Sequence, residues 1–322
     1  MHISLPPVIG ISLFPDGASN LAGPVDLLYL ALTALTFVIL FVLAVPTIYF
    51  IVKYRHSANV DRSPSDFSTL KLELAWTIVP FFIVMGIFAW GGGLFVFMRQ
   101  VPTDATEIHV IGKQWMWKIQ HLQGKREINE LHVPLGRTVK LLMASQDVIH
   151  SFFLPAFRVK QDVIPGRYTT QWFRPTKTGT YPIYCAEFCG TGHSSMIGKV
   201  TVMEPQEFDQ WLQTGEAVPL AQSGARLFRS LGCSGCHTPG GVIRAPLLNN
   251  LYGKPVALEN GRVVRADDRY IRDSILLPQT EVTAGYQPLM PSFQGQLSEE
   301  QVLELVTYIK SLGSTNPASD NR

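Results

Sequence analysis

Two long uncharged runs dominate the first third of the chain: no residue from Leu27 to Val52, or from Leu74 to Met98, carries a charge. Each run exceeds the roughly 20 apolar residues that cross a bilayer as a helix, so the pattern predicts a membrane-spanning helical hairpin over 25–99. A pair of buried core helices is the alternative, and the lengths speak against it. Pro46 and Pro80 lie inside the runs, where membrane helices tolerate proline more readily than soluble ones. Beyond residue 100 the rhythm changes. "TEIHVIGKQWMWKIQ", "TVKLLMAS", "YTTQWFRP" and "GKVTVM" are β-branched and aromatic segments, broken at 134–136, 165–166 and Gly179. They predict a β-sandwich over 100–215. "PQEFDQWLQTG" reads as a short helix stopped by Gly215, and 216–222 as a linker. Helical patterns then return in "GARLFRSLGC", "DDRYIRDSIL" and "SEEQVLELVTYIKSLG". The last opens with Ser298 as cap and Gln301 three residues on, and Gly313 stops it. Residues 314–322 read as a frayed tail. The predicted fold is two transmembrane helices, a β-sandwich, and a small all-α domain over 216–322, with 1–24 as a segment ahead of the membrane.

Composition sharpens the membrane reading. The chain is 46% hydrophobic and only 16% charged, with a net charge of +2. That balance gives no basic surface of the kind nucleic acid requires. Lys53, Arg55, Arg62 and Lys71 all fall between the two apolar runs, and residues 1–26 hold no Lys or Arg. The connecting loop is therefore expected on the cytoplasmic side, with both chain ends outside. The first run is too long for the core of a cleaved signal peptide.

The four cysteines form two close pairs in the outer region, Cys185/Cys189 and Cys233/Cys236. Paired cysteines outside the cell default to disulfides, but each pair here sits among further metal donors. "CAEFCGTGHSSM" adds His193 and Met196 to Cys185 and Cys189. Thiolate, imidazole and thioether together suit copper, and two thiolates can bridge two copper ions. A second imidazole is needed. His150 in "DVIHSFFLP", at the end of the strand "TVKLLMAS", is the best candidate.

That loop, with "DVIHSF" and "GKQWMW", resembles the second subunit of haem-copper cytochrome c oxidases over residues 25 to about 212. The resemblance implies a cupredoxin-like domain whose dinuclear copper A centre is held by His150, Cys185, Cys189, His193, Met196 and the carbonyl of Glu187. It implies that the Glu187 carboxylate helps to hold a magnesium ion shared with subunit I, and oxygen donors suit that hard cation. It also implies electron entry at Trp115 and a proton path beginning at Glu73, where an intramembrane carboxylate is a functional candidate. Met116 stands where the family's "QWYW" run has an aromatic residue, and "KIQH" lacks the acidic residues that often dock a basic cytochrome c.

"CSGCH" is Cys-x-x-Cys-His, the attachment motif of a c-type haem. Cys233 and Cys236 would bind the macrocycle, His237 would supply one axial nitrogen and Met290 in "PLMPSF" the opposite sulfur. A zinc or redox dithiol is the alternative. The segment from about 222 to 313 resembles a small cytochrome c, so the whole chain resembles subunit II of a caa3-type oxidase in a bacterial inner membrane. Its implied partners are subunit I, other oxidase subunits, and a cytochrome c or docked quinol-oxidising complex as donor. Fusing a donor to its acceptor raises its effective concentration to roughly millimolar, which offsets the missing acidic patch. The copper subunit of a nitric oxide reductase and a membrane-anchored copper-delivery protein are the rival readings. Oxygen reduction itself is expected in a partner, because the remaining histidines form no intramembrane cluster.

Overall fold

The structure, a computed structural model, describes residues 14–61, 68–214, 217–239 and 243–313. Arg62, the predicted stop at Gly215, the start of the predicted linker and the tail 314–322 lie outside the described residues. The chain divides into two units, one holding 20–100 and the other holding 13–19 with 101–322.

In the first unit, α1 (Ala22–Lys53) and α2 (Leu70–Arg99) cover the two uncharged runs. Their apolar side chains face outward, with Phe37, Phe41 and Phe88 among the most exposed. Such a surface is stable only in hydrocarbon. Polar side chains inside the spans are satisfied locally: the hydroxyls of Thr33, Thr36 and Thr47 donate to the carbonyls of Tyr29, Leu32 and Leu43. This is the membrane anchor the pattern predicted.

The second unit begins with ten strands among the described residues: β1 (Thr106–Lys113), β2 (Met116–His121), β3 (Arg126–Ile128), β4 (Glu130–Pro134), β5 (Val139–Ser145), β6 (His150–Leu154), β7 (Val159–Val163), β8 (Thr169–Phe173), β9 (Gly179–Cys185) and β10 (Ile197–Met203). They form two five-stranded sheets, ordered β3-β2-β1-β5-β8 and β4-β10-β9-β6-β7. The β1/β5 and β4/β10 pairs are parallel; the other pairs are antiparallel. Trp117, Phe152, Phe157 and Phe173 fill the space between the sheets. Two expectations change here. The run "TEIHVIGKQWMWKIQ" is a hairpin rather than one strand, turning at Gln114 and Trp115 with Lys113 opposite Met116. His150 opens β6 rather than ending the strand before it. The turn at Gln114 and Trp115 carries none of the Gly, Asn or Asp that marks hairpins in sequence.

After α3 (Pro205–Gln213) come α4 (Leu220–Ser230), α5 (Ser234–His237), β11 (Pro255–Ala257), β12 (Val263–Arg265), α6 (Asp268–Leu276) and α7 (Glu299–Ser311). α4 starts inside the stretch expected as linker: Leu220 is buried and its N–H donates to the Leu122 carbonyl at 3.0 Å. The capping box on α7 forms as predicted, Ser298 and Gln301 each satisfying the other's backbone N–H. A small β11–β12 hairpin adds strand to a module expected to be wholly helical.

α7 has two working faces. Leu305 and Ile309 line the cavity of the helical module, whereas Leu303 packs on Ile111 and Leu142 of the sandwich. This explains why β1 and β5 are buried almost along their whole length: the second face of their sheet, where Glu107, His109 and Lys140 alternate with Ile111 and Leu142, is covered. On that face Glu107 receives Lys140 at 2.7 Å and Lys310 at 2.9 Å, and Lys310 also meets Asp268 at 2.9 Å. Lys118–Glu300 and Arg126–Glu304 flank them at 2.7 and 2.6 Å. Burial pushes the Glu107 carboxyl up, yet His109, Lys310 and Lys140 outweigh it and hold the group far below the ordinary carboxylate range.

Candidate copper and haem sites

Antiparallel pairing of β9 with β10 closes the loop 186–196 on itself, so that Cys185 at one end meets Met196 at the other. The Cys185 N–H donates to the Met196 carbonyl at 3.3 Å. β6 pairs with β9, placing Phe152 opposite Cys185 and bringing in His150 from outside the loop. The five side chains expected as ligands converge. Cys185 Sγ lies 3.8 Å from Cys189 Sγ and 4.0 Å from His150 Nδ1. Cys189 Sγ lies 3.5 Å from His193 Nδ1 and 3.9 Å from Met196 Sδ. The Glu187 carbonyl sits 3.3 Å from Cys185 Sγ while its side chain is exposed.

A sulfur separation of 3.8 Å rules out a disulfide, whose bond is about 2.05 Å. It matches two thiolates on one ion: bonds of about 2.3 Å at a near-tetrahedral angle put the sulfurs about 3.8 Å apart. The donor set therefore fits copper. Electrostatics agree. Burial opposes the Cys185 thiolate, but His150 and backbone groups of Ser151 and Glu187 outweigh it and bring the thiol down to about 6. Burial and the charge on Cys185 push Cys189 up to about 12. Two buried neighbouring thiolates need a cation between them, and metal coordination deprotonates thiols outright.

Support for the ligands comes from residues the sequence did not single out. The His150 Nε2–H donates to Asp147 Oδ1 at 2.8 Å, which leaves the Nδ1 lone pair facing the sulfurs. Asp147 itself is held by the N–H groups of Gln114 and Val148 at 2.8 and 2.7 Å. Burial raises its carboxyl, but those donors and His150 keep it below the ordinary range. A carboxylate three residues before a histidine was the available signal. Gln114 Nε2 and Trp115 Nε1 both donate to the Cys189 carbonyl, at 2.7 and 3.2 Å. The Trp115 ring lies against Gly192, where a Cβ would stand 2.5 Å from it. Gly112 plays the same part for His150: an added Cβ would fall 2.9 Å from the ring, which cannot step aside because it is fully buried. Gly112→Ala is expected to cost about 1–3 kcal/mol and to lower copper content and shift the copper absorption. Metal analysis and a visible spectrum of the variant check this.

In the helical module, α5 carries the attachment motif. The Cys236 and His237 N–H groups donate to the Cys233 carbonyl, holding the three side chains on one turn. Cys233, Cys236, His237 and Met290 all line one cavity of about 260 Å³, whose other walls include Phe228, Tyr270, Ile275 and Leu305. The His237 Nδ1–H donates to the Pro246 carbonyl at 2.8 Å, so Nε2 keeps its lone pair for a metal. An apolar slot with two thiols, a pre-set imidazole and a thioether fits a covalent haem. Burial raises the Cys233 thiol, as expected of a residue awaiting a covalent partner rather than serving as a redox thiolate.

Two predicted positions stand apart from these sites. Glu73 lies in the first turn of α2, where the Thr69 hydroxyl donates to it at 2.5 Å. The Glu187 carboxylate joins no cluster of metal donors among the described residues.

Comparison with known proteins accounts for the whole order of parts. Family models match for the transmembrane domain of cytochrome c oxidase subunit II at residues 7–90, its periplasmic domain at 122–203, and cytochrome c at 221–313. Cytochrome c oxidase subunit 2 of Alkalihalophilus pseudofirmus is 30% identical over 287 residues, covering 82% of this chain and 81% of that protein. The protein of the same name from Thermostichus vulcanus is 30% identical over 264 residues, covering 65% and 80%. An alternative cytochrome c oxidase subunit 2 of Bradyrhizobium diazoefficiens is 36% identical over 145 residues, covering 35% and 52%.

Proposed function

We propose, from the premise that this chain belongs to the cytochrome c oxidase subunit II family and carries a cytochrome c domain behind it, that it is the electron-transfer subunit of a caa3-type terminal oxidase. Electrons from a cytochrome c or a docked quinol-oxidising complex pass through it to a haem-copper subunit that reduces oxygen and pumps protons. The observation that carries this reading is the convergence of His150, Cys185, Cys189, His193 and Met196 in a chain that also holds the Cys233/Cys236/His237 cavity.

Bound at these sites, a pair of copper ions and one covalent haem c supply one-electron chemistry. The chain's own residues fix their surroundings. Cys185 and Cys189 would supply thiolate sulfur to the copper, and Asp147 holds His150 in the tautomer that presents Nδ1. Burial of both cysteines and Met196 excludes water and lowers the local dielectric. Pro246 does for His237 what Asp147 does for His150, and Met290, lining the same cavity, would supply a thioether to the haem. Trp115, hydrogen-bonded to the Cys189 carbonyl and exposed at the loop, is the electron entry from an external donor. The Glu187 carboxylate would share magnesium with subunit I, and Glu73 would begin a proton path from the cytoplasm. The domains run as 1–24, 25–99, 100–215 and 216–322, with the copper and haem modules on the periplasmic side.

The test is gas consumption by the purified complex, with haem staining of this chain on a denaturing gel. Oxygen uptake and a stained band of this subunit are expected. Turnover of nitric oxide instead of oxygen, or a band without covalent haem, overturns the reading.

A further inference from the structure

A second group of metal donors lies outside the copper loop, where β3, β4 and α3 meet. Glu127 is nearly buried, and its two oxygens have different neighbours. Oε1 accepts from the His121 Nε2–H at 2.8 Å and from the His132 backbone N–H at 3.2 Å. Oε2 faces His132 Nδ1 at 2.5 Å. Asn129, with φ at 57°, turns β3 into β4 and brings the Glu130 carboxylate to the same spot. One donor atom each from Glu127, Glu130 and His132 lies within 4.8 Å of the others. The His132 ring is steadied by stacking on Trp211 of α3, with centroids 4.5 Å apart.

We infer that Glu127, Glu130 and His132 form a binding site for a divalent cation of the zinc class, separate from the copper centre. Two carboxylates and one imidazole are donors that zinc accepts, and the absence of sulfur turns away cuprous copper. His121, fully buried, acts as the outer partner: its N–H saturates Glu127 Oε1 and aims Oε2 at the ion. Among the described residues the two carboxylates meet one lysine, Lys199, which reaches Glu130 at 2.9 Å from a half-exposed position. Such a surface pair is worth little and yields to an ion. Without the ion, the proton on His132 Nδ1 bridges to Glu127. With it, Nδ1 becomes a ligand and the proton passes to Nε2 or to solvent. His132 and Glu130 are partly exposed, which gives a hydrated ion its entry and leaves room for water as the remaining ligand.

The test uses the purified, copper-loaded oxidase complex with a zinc salt as the only probe, measuring zinc retained per subunit across a series of free zinc concentrations. Wild type is expected to hold one zinc per chain. His132→Gln and Glu130→Gln are expected to weaken it by at least about tenfold while copper content and the haem spectrum stay unchanged. If His132→Gln unsettles the stack on Trp211, Glu130→Gln at its exposed side chain still decides. Equal zinc retention in wild type and both variants, or none in wild type, overturns the inference.

Discussion

Cys185→Ser is expected to abolish the copper pair and bring oxygen consumption by the assembled enzyme down by at least about a hundredfold. Serine is nearly the same size, so the sandwich keeps its packing. The chemistry changes instead: a hydroxyl is a hard donor that stays protonated at neutral pH and cannot bridge soft metal ions. Cys189, His193 and Met196 would remain within 4 Å steps of one another, a set that supports at most one ion. On the proposed dinuclear centre, copper content should fall from two per chain to one or none, and an unpaired electron shared between two coppers should vanish from the paramagnetic resonance spectrum. The covalent haem is an internal control, because Cys233 and Cys236 are untouched. Full turnover with a native copper content would refute the site.

Lys310→Met is expected to loosen the helical module from the sandwich by about 3–5 kcal/mol, because breaking a buried pair strands its partner. Lys310 serves both Glu107 and Asp268. With it gone, Glu107 keeps Lys140 as a counter-charge and His109 as a hydrogen-bond partner in a mostly buried place. The sign of the pH dependence follows. The depressed Glu107 pKa contributes stability that is present above its unfolded value and lost as pH falls through the folded one. Burial opposes the Lys310 charge, but Glu107 and Asp268 outweigh it and raise its pKa. That contribution is present below the unfolded lysine value and lost as pH rises through the folded one. Both are therefore complete between about pH 4.3 and 10.4. Hydrogen exchange of the α7 amides in wild type and variant at neutral pH reads the effect. An acceleration of about a hundredfold or more is expected. Adding Glu107→Gln to the variant should recover part of the loss, since it removes the stranded charge. Unchanged exchange in the single variant would show that the network carries no docking energy.

The candidate site was legible because copper and haem demand particular atoms at particular spacings, and loops that provide them are rare by chance. Cys185, Cys189, His193 and Met196 lie on one closed loop, so sequence distance was a guide to spatial distance. His150 was reachable because the site lacked nitrogen. Asp147, Gln114 and Pro246 were not, because their parts in the site come from hydrogen bonds across strands and turns. The hairpin at Gln114 and Trp115 escaped for a related reason: the turn is held by Asp147 and the loop carbonyl of Cys189 rather than by its own residue types. The covered face of β1 was hidden as well. Nothing in the sequence marks Glu107 and His109 as interior positions, and only the arrival of α7 makes them so.

α7 thus serves as a party wall between two rooms, with Leu305 and Ile309 on one side and Leu303 and Glu304 on the other. Truncating the chain ahead of residue 299 would not yield a tidy stand-alone cupredoxin. The stump would present Ile111 and Leu142 to water beside an orphaned Glu107, a sticky scar that favours self-association. Anyone wishing to study the copper half alone would first have to resurface β1 and β5.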